Sequence, residues 1–318
     1  MRAAVLDDQE AQRRLDGIEE DPEGELAQTR LGAVGAAMSV LAWRRFTPDT
    51  DVRELAAWVD RLWEKLPEEV PFTRREAEAV LRMALGEQYL AYQVDREVVG
   101  ESAVAVALQL GVDLRLSAGE IDALVVQSEE LLGQLMAEGV LTANGALMLP
   151  VADDALAPAQ RGAPVDWLRV ARPEVATTQP RSRPAQWVKA TLAWDNETRY
   201  RLLEQMRYTP ETGQAMSVLE VVCRRLARLA FARGRDLREV TATMAWIKQR
   251  YRMNLPLMHM DAVTRAALGE PAFVADLSLK DRAGVWTVVS TVIVREAHLS
   301  EREVDGVVAD AERQLGLA

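Results

Sequence analysis

A chain of 318 residues with 49% hydrophobic residues has room for two domains with buried cores, and its net charge of −11 makes it acidic overall. Its single cysteine, Cys223, excludes an intrachain disulfide and a cysteine-based zinc site. The opening MRAAVLDDQEAQRR lacks the apolar core of a signal peptide. The longest apolar stretch, Leu31 to Trp43, is too short to cross a bilayer. A cytoplasmic protein without membrane insertion is therefore expected.

Residues 1–23 are charged and weakly patterned, as in a weakly ordered N-terminal segment. An Ala-rich stretch from Glu25 to Arg45 reads as helix, and Phe46-Thr47-Pro48 ends it, because the residue before proline avoids the α region. Asp49 or Thr50 should cap the next helix. Its apolar face is Val52, Leu55, Val59, Leu62, Trp63 and Leu66, at 3.6-residue spacing, and Pro67 stops it. Thr73 with Glu76 three residues on predicts a capping box. Ala103 to Val112 is apolar almost all round and predicts a buried helix. Ser117 to Glu138 predicts another, ended by Gly139.

Asn144-Gly145 between apolar runs, in VLTANGALMLP, predicts a short β-hairpin near 140–150, since both residues tolerate positive φ. With the preceding helix it would form a winged-helix-like element. The helix carries Glu120, Asp122, Glu129 and Glu130 in its N-terminal half and no cation there for phosphate. A wing of this kind would suit protein better than DNA. Pro158, Pro164, Pro173, Pro180 and Pro184 then exclude a continuous helix. Further helices are expected near 187–207, 215–233, 236–252, 258–268, 279–297 and 300–315.

The expected fold is mostly α: two helical lobes joined by a Pro-rich linker. The divisions are a weakly ordered 1–23, an acidic lobe 24–151 ending in the hairpin, a linker 152–186 and a C-terminal lobe 187–318.

One pattern occurs twice. LSAGEIDALV (Leu116–Val125) returns as LSEREVDGVV (Leu299–Val308). Ser117 and Ser300 should cap their helices, with Glu120 and Glu303 reaching back. The buried stripes would be Ile121, Leu124, Val125, Leu131, Leu132 and Leu135 in one copy. In the other they would be Val304, Val307, Val308, Ala311 and Leu315. Asp113 and Glu296 stand four residues before each serine, each closing an apolar helix, and Asp122 matches Asp305. The shared unit is a helix, an acid, a short turn and a capped helix, with acids brought together at the corner.

The spacing acid-x-x-Leu-Ser-x-x-Glu resembles the acidic turns of TerB-like domains, all-helical domains of tellurite-resistance systems. The likeness covers two hairpins of the chain. The glycine of that family's turn is replaced by Leu114 and Ala297, and Glu296 stands for an aspartate. The resemblance implies a helical domain, within a membrane-associated or stress-response complex, whose paired acidic turns bind a divalent cation. Asp113, Glu120, Glu296 and Glu303 would form an all-oxygen site for Ca or Mg; solvated helix caps are the competing reading. Leu226 to Thr241, turning at Arg233-Gly234-Arg235-Asp236, is another candidate partner for the second copy.

Charge is unevenly placed. Residues 1–150 carry 14 basic and 28 acidic side chains (−14), 151–252 carry 18 and 11 (+7), and 253–318 carry 6 and 10 (−4). Arg224, Arg225, Arg228, Arg233, Arg235 and Arg238 cluster in the basic middle region, Arg224 to Arg252. They could contact nucleic acid or an acidic partner, and pairing with the acidic first half is the reading favoured here. Val221, Val222, Leu226, Leu229 and Ala230 would supply that helix's core side.

Two histidines, His259 and His298, and no nucleophile elbow, phosphate loop or dinucleotide fingerprint leave catalysis with little support. Carboxylate chemistry leaves no short motif, and the paired acids in LDDQE and ADDAL read as solvated. No resident cofactor is expected. The sequence points to a non-enzymatic interaction or scaffold protein, working with a protein partner or as a homo-oligomer.

Overall fold

The computed structural model describes residues 25–87, 90, 93–137, 173, 178–231, 236–270 and 272–317, and among them are twelve α-helices and no strand. The chain divides into two compact units, Met1–Pro158 and Ala159–Ala318. The expected hairpin near 140–150, its winged-helix reading, the segment 1–23 and most of the proline-rich stretch lie outside the described residues.

The first unit contains α1 (Glu25–Arg45), α2 (Val52–Trp63), α3 (Arg74–Ala84), α4 (Arg96–Leu114) and α5 (Ala118–Ala137). α1 packs against α3, α4 and α5. It buries Ala37, Met38 and Leu41, while Phe46 just beyond its end meets Trp58 of α2 edge-on at 5.9 Å. α2 is capped by Asp51, whose carboxylate accepts from the Arg53 N–H, rather than by Asp49 or Thr50. Thr50 instead accepts from the Thr47 N–H and closes the preceding turn. The predicted face of α2 is buried at Val52, Leu55, Val59 and Leu62, and Ala56 and Trp58 widen it. The capping box of α3 forms as expected between Thr73 and Glu76.

α3 and the turn after it bury a charge cluster. Arg82 is 0% exposed and forks onto Glu87 at 2.6 and 3.0 Å, with Glu78 at 3.2 Å. Two carboxylates and one guanidinium taken from water are tolerated only while they hold one another.

The all-round burial expected of 103–112 does not hold. α4 is longer, and Val112 on its outer side is 65% exposed, with Val104 also exposed. α4 meets α1 and α3 on one side only, so an apolar sequence here does not imply a helix enclosed on every side. α5 behaves similarly. Ile121 and Leu124 are buried, but Val125, Leu131, Leu132 and Leu135 are only half-buried and Val126 and Met136 are exposed.

The second unit contains α6 (Arg183–Leu192), α7 (Asn196–Met206), α8 (Glu211–Ala230), α9 (Leu237–Arg250), α10 (Leu257–Leu268), α11 (Leu279–Glu296) and α12 (Glu301–Gln314). α6 starts at Arg183, with Pro184 in its first turn, where a missing N–H costs nothing. The single helix expected over 187–207 is two helices. Trp194 turns the chain at φ +57°, and the Asp195 carboxylate accepts from the Thr198 N–H to start α7. An aspartate that can cap competes with helix continuation.

α8 is the axis of the unit, packed on α6, α10, α11 and α12. Val218, Leu219, Val222, Cys223 and Leu226 are fully buried on it, and Leu229 is half-buried rather than core. The last helix holds the first: buried Glu312 of α12 accepts from the Arg181 and Ser182 N–H groups, at 3.1 and 2.5 Å. These donors lie at the α6 N-terminus, where a carboxylate is favoured by the helix dipole.

Two mutations test these points. Arg82→Met strands two buried carboxylates and should cost about 3–5 kcal/mol by urea denaturation. Tyr208 occupies the third position of a type II turn, at φ +64° and 90% exposed. Tyr208→Gly should therefore raise stability by about 1 kcal/mol.

Candidate functional site

The two copies of the repeated pattern fold into the same corner. α4 ends at Leu114 and Arg115 turns left-handed at φ +51°; α11 ends at Glu296 and His298 turns left-handed at φ +49°. These residues occupy equivalent places in the two copies. The Arg115 N–H bonds to the Val112 carbonyl at 3.2 Å, and the His298 N–H to the Arg295 carbonyl at 3.1 Å. The Leu299 N–H reaches the Val294 carbonyl at 3.0 Å, the six-to-one bond of a Schellman ending.

The serine caps also match. The Ser117 N–H and hydroxyl both donate to Glu120 Oε2, at 2.8 and 2.6 Å. The Ser300 N–H and hydroxyl both donate to Glu303 Oε2, at 2.7 Å each. In the second copy the Ser300 hydroxyl also accepts from the Glu303 N–H, completing a capping box. A left-handed residue releases the chain from one helix and a serine two residues later opens the next; three residues separate α4 from α5, and four separate α11 from α12.

The corner acids are engaged differently from the expectation of a shared acidic cluster. Asp113 accepts from the buried indole N–H of Trp58 at 2.7 Å through one oxygen and from Gln109 at 2.5 Å through the other. Glu296 accepts from the Tyr251 hydroxyl at the end of α9. In both copies an aromatic donor from another helix holds the acid. Asp113 and Glu120 belong to the first unit, Glu296 and Glu303 to the second. Among the described residues, no three of His, Cys, Asp or Glu are grouped so as to hold a metal ion.

Burial separates the copies. Glu120 is exposed, and its hydrogen bonds from Ser117 hold its carboxyl below the usual range. Glu303 and Asp305 are buried, because α6 packs over the start of α12. Lys189 of α6 reaches across to Asp305 at 2.7 Å and Glu301 at 2.9 Å. Burial opposes the charged form of Lys189, but the hydrogen bonds it donates to these carboxylates outweigh it and raise the ammonium above its ordinary value. Nothing in local spacing identifies Trp58, Tyr251 or Lys189 as partners of the repeat; all three come from distant sequence.

Two arginines of the basic region find acids within their own unit. Arg224 pairs with Glu220 on the next turn back at 2.9 Å, and Arg225 reaches Asp310 of α12 at 2.8 Å. Arg228 is exposed, the Arg238 N–H donates to the capping Asp236, and Arg233 and Arg235 lie outside the described residues. The paired acids of LDDQE and ADDAL also lie outside them. Cys223 is enclosed by α8 and its neighbours, and burial pushes its thiol up to about 12, so it packs as a small apolar side chain.

Comparison with known proteins returns no matching family model, no similar curated protein and no similar solved structure.

The pH dependence follows from the second corner. Burial, followed by the bond to Glu296, raises the Tyr251 phenol above its ordinary 10.0, and Lys189 stands above its ordinary 10.5. Both folded values exceed the unfolded ones. Their stabilisation is therefore fully present below those ordinary values and is lost as pH climbs through the raised ones. Urea denaturation across this alkaline range should show stability falling, and Tyr251→Phe and Lys189→Met should each flatten that fall. An unaltered alkaline limb in both variants would sink the assignment.

Proposed function

We propose that the protein is a non-enzymatic interaction component of a multi-protein assembly, binding a protein partner or a second copy of itself through its first unit. The observation that carries this reading is the outer side of α4 and α5. Val104, Val112, Val126 and Met136 are large apolar residues that the unit's own helices leave exposed. Single exposed apolar residues are ordinary, but four large ones on two long helices of one unit support an interaction surface there. The acidic balance of residues 1–150 would select partners of opposite charge and speed their encounter.

The TerB-like reading would place a divalent cation at the matched corners. A cation at either corner would first have to displace the donors that already engage Asp113 and Glu303. Arg224 and Arg225 of α8 would serve a nucleic acid only after release from Glu220 and Asp310. The interaction reading needs no such rearrangement.

Light scattering on the full chain tests it. The expected result is a mass above that of the monomer at micromolar concentration, or retention of a defined partner in a pull-down from the native cell. Either should be lost in Val112→Asp without loss of helical circular dichroism. A monomer at every concentration, with no retained protein sensitive to Val112→Asp, would rule the reading out.

A further inference from the structure

In the second unit, α8, α10 and α11 leave a small recess of about 70 Å³, partly open to solvent. Val263 of α10, Val274 from the following loop and Trp286 of α11 give it apolar walls. Three charged side chains line the rest: Glu220 and Arg224 of α8, and Arg282 of α11.

These charges are unevenly matched. Arg224 donates to Glu220 at 2.9 Å, so that acid is already answered. Arg282 has no ion pair among the described residues, and its buried Nε–H has no hydrogen-bond acceptor. A buried guanidinium N–H left without an acceptor is unfavourable. Two guanidiniums against one carboxylate leave the lining one positive charge in excess. A single negative charge would neutralise it, whereas a dianion would set an uncompensated charge beside Glu220. The planar fork of an arginine matches the two oxygens of a carboxylate.

We propose that this recess binds a monocarboxylate on a short apolar stem, with the carboxylate on Arg282 and the stem against Trp286, Val263 and Val274. Two sources carry that chemistry: a free small acid, or a glutamate side chain of a protein partner. The site lies in the second unit and does not depend on the apolar surface of the first, so the two proposals fail separately.

Isothermal titration of the full chain with butyrate, butyramide, inorganic phosphate and the peptide acetyl-Ala-Ala-Glu-Ala-Ala-amide tests it. Butyrate or the peptide should bind saturably, about tenfold or more tighter than butyramide and phosphate. Saturation by butyrate identifies a free acid, and saturation by the peptide alone identifies a partner's side chain. Arg282→Met should weaken the interaction about tenfold or more at unchanged melting temperature, while Arg201→Met on α7 should not. If Arg282→Met unfolds the unit, Arg282→Lys decides, since it keeps the charge and loses the fork. No saturation by either acid, equal binding of butyramide or phosphate, or full affinity in the folded Arg282 variant overturns the proposal.

Discussion

Ending one helix and starting the next within a few residues, at several corners without glycine, is the constraint on which both units rest. Arg115, Trp194, Tyr208, Arg252 and His298 all take positive φ within two residues of a helix end. Each such residue carries a backbone penalty of about 1–2 kcal/mol that glycine would avoid. The penalty is offset by the bonds it permits. The left-handed residue turns the chain back so that the following N–H groups satisfy the last carbonyls, and a nearby serine or aspartate can then satisfy the first N–H groups of the next helix. The corners at Asp113–Ser117 and Glu296–Ser300 are the clearest cases, since they share the same αL position and the same bonds at the serine cap.

Long-range polar contacts hold the reversed helices in place. Trp58 fixes the end of α4 through Asp113, and Tyr251 fixes the end of α11 through Glu296. Glu312 closes the second unit by holding the first N–H groups of α6 from the last helix. The buried Arg82 with Glu78 and Glu87 does the same locally in the first unit. Such contacts add specificity more than stability, because burying each charge offsets much of what its pairing returns. A helix docked in the wrong place would leave these groups without partners.

The same economy of partners shapes the functional reading. Acids and arginines that look available in the sequence are mostly answered inside their own unit: Arg225 by Asp310, Asp305 by Lys189, Asp113 by Trp58. Among the groups that the described residues leave unanswered are the apolar side chains exposed on α4 and α5 and the Nε–H of Arg282 in its recess. Unsatisfied apolar surface and an unsatisfied buried donor both favour association with something else, and they do so through different chemistry.

Much of the local structure was legible in the sequence, because its causes are local. The capping boxes at Thr73 and Ser300, the break at Pro48 and the buried face of α2 depend on residues within a turn or two of one another. The duplicated corner was legible for the same reason. The break at Trp194 was not, although Asp195 signalled it, because propensity alone does not decide between a cap and a continuing helix. What only the tertiary structure decided is which side of an apolar helix is covered and which distant group meets each charge. Val112 and Leu110 are alike in hydrophobicity, and one is exposed while the other is fully buried. The difference lies in where α1 and α3 pack, and no spacing within α4 encodes that. Asp113 and Trp58 are likewise 55 residues apart in the chain, and only folding makes them neighbours.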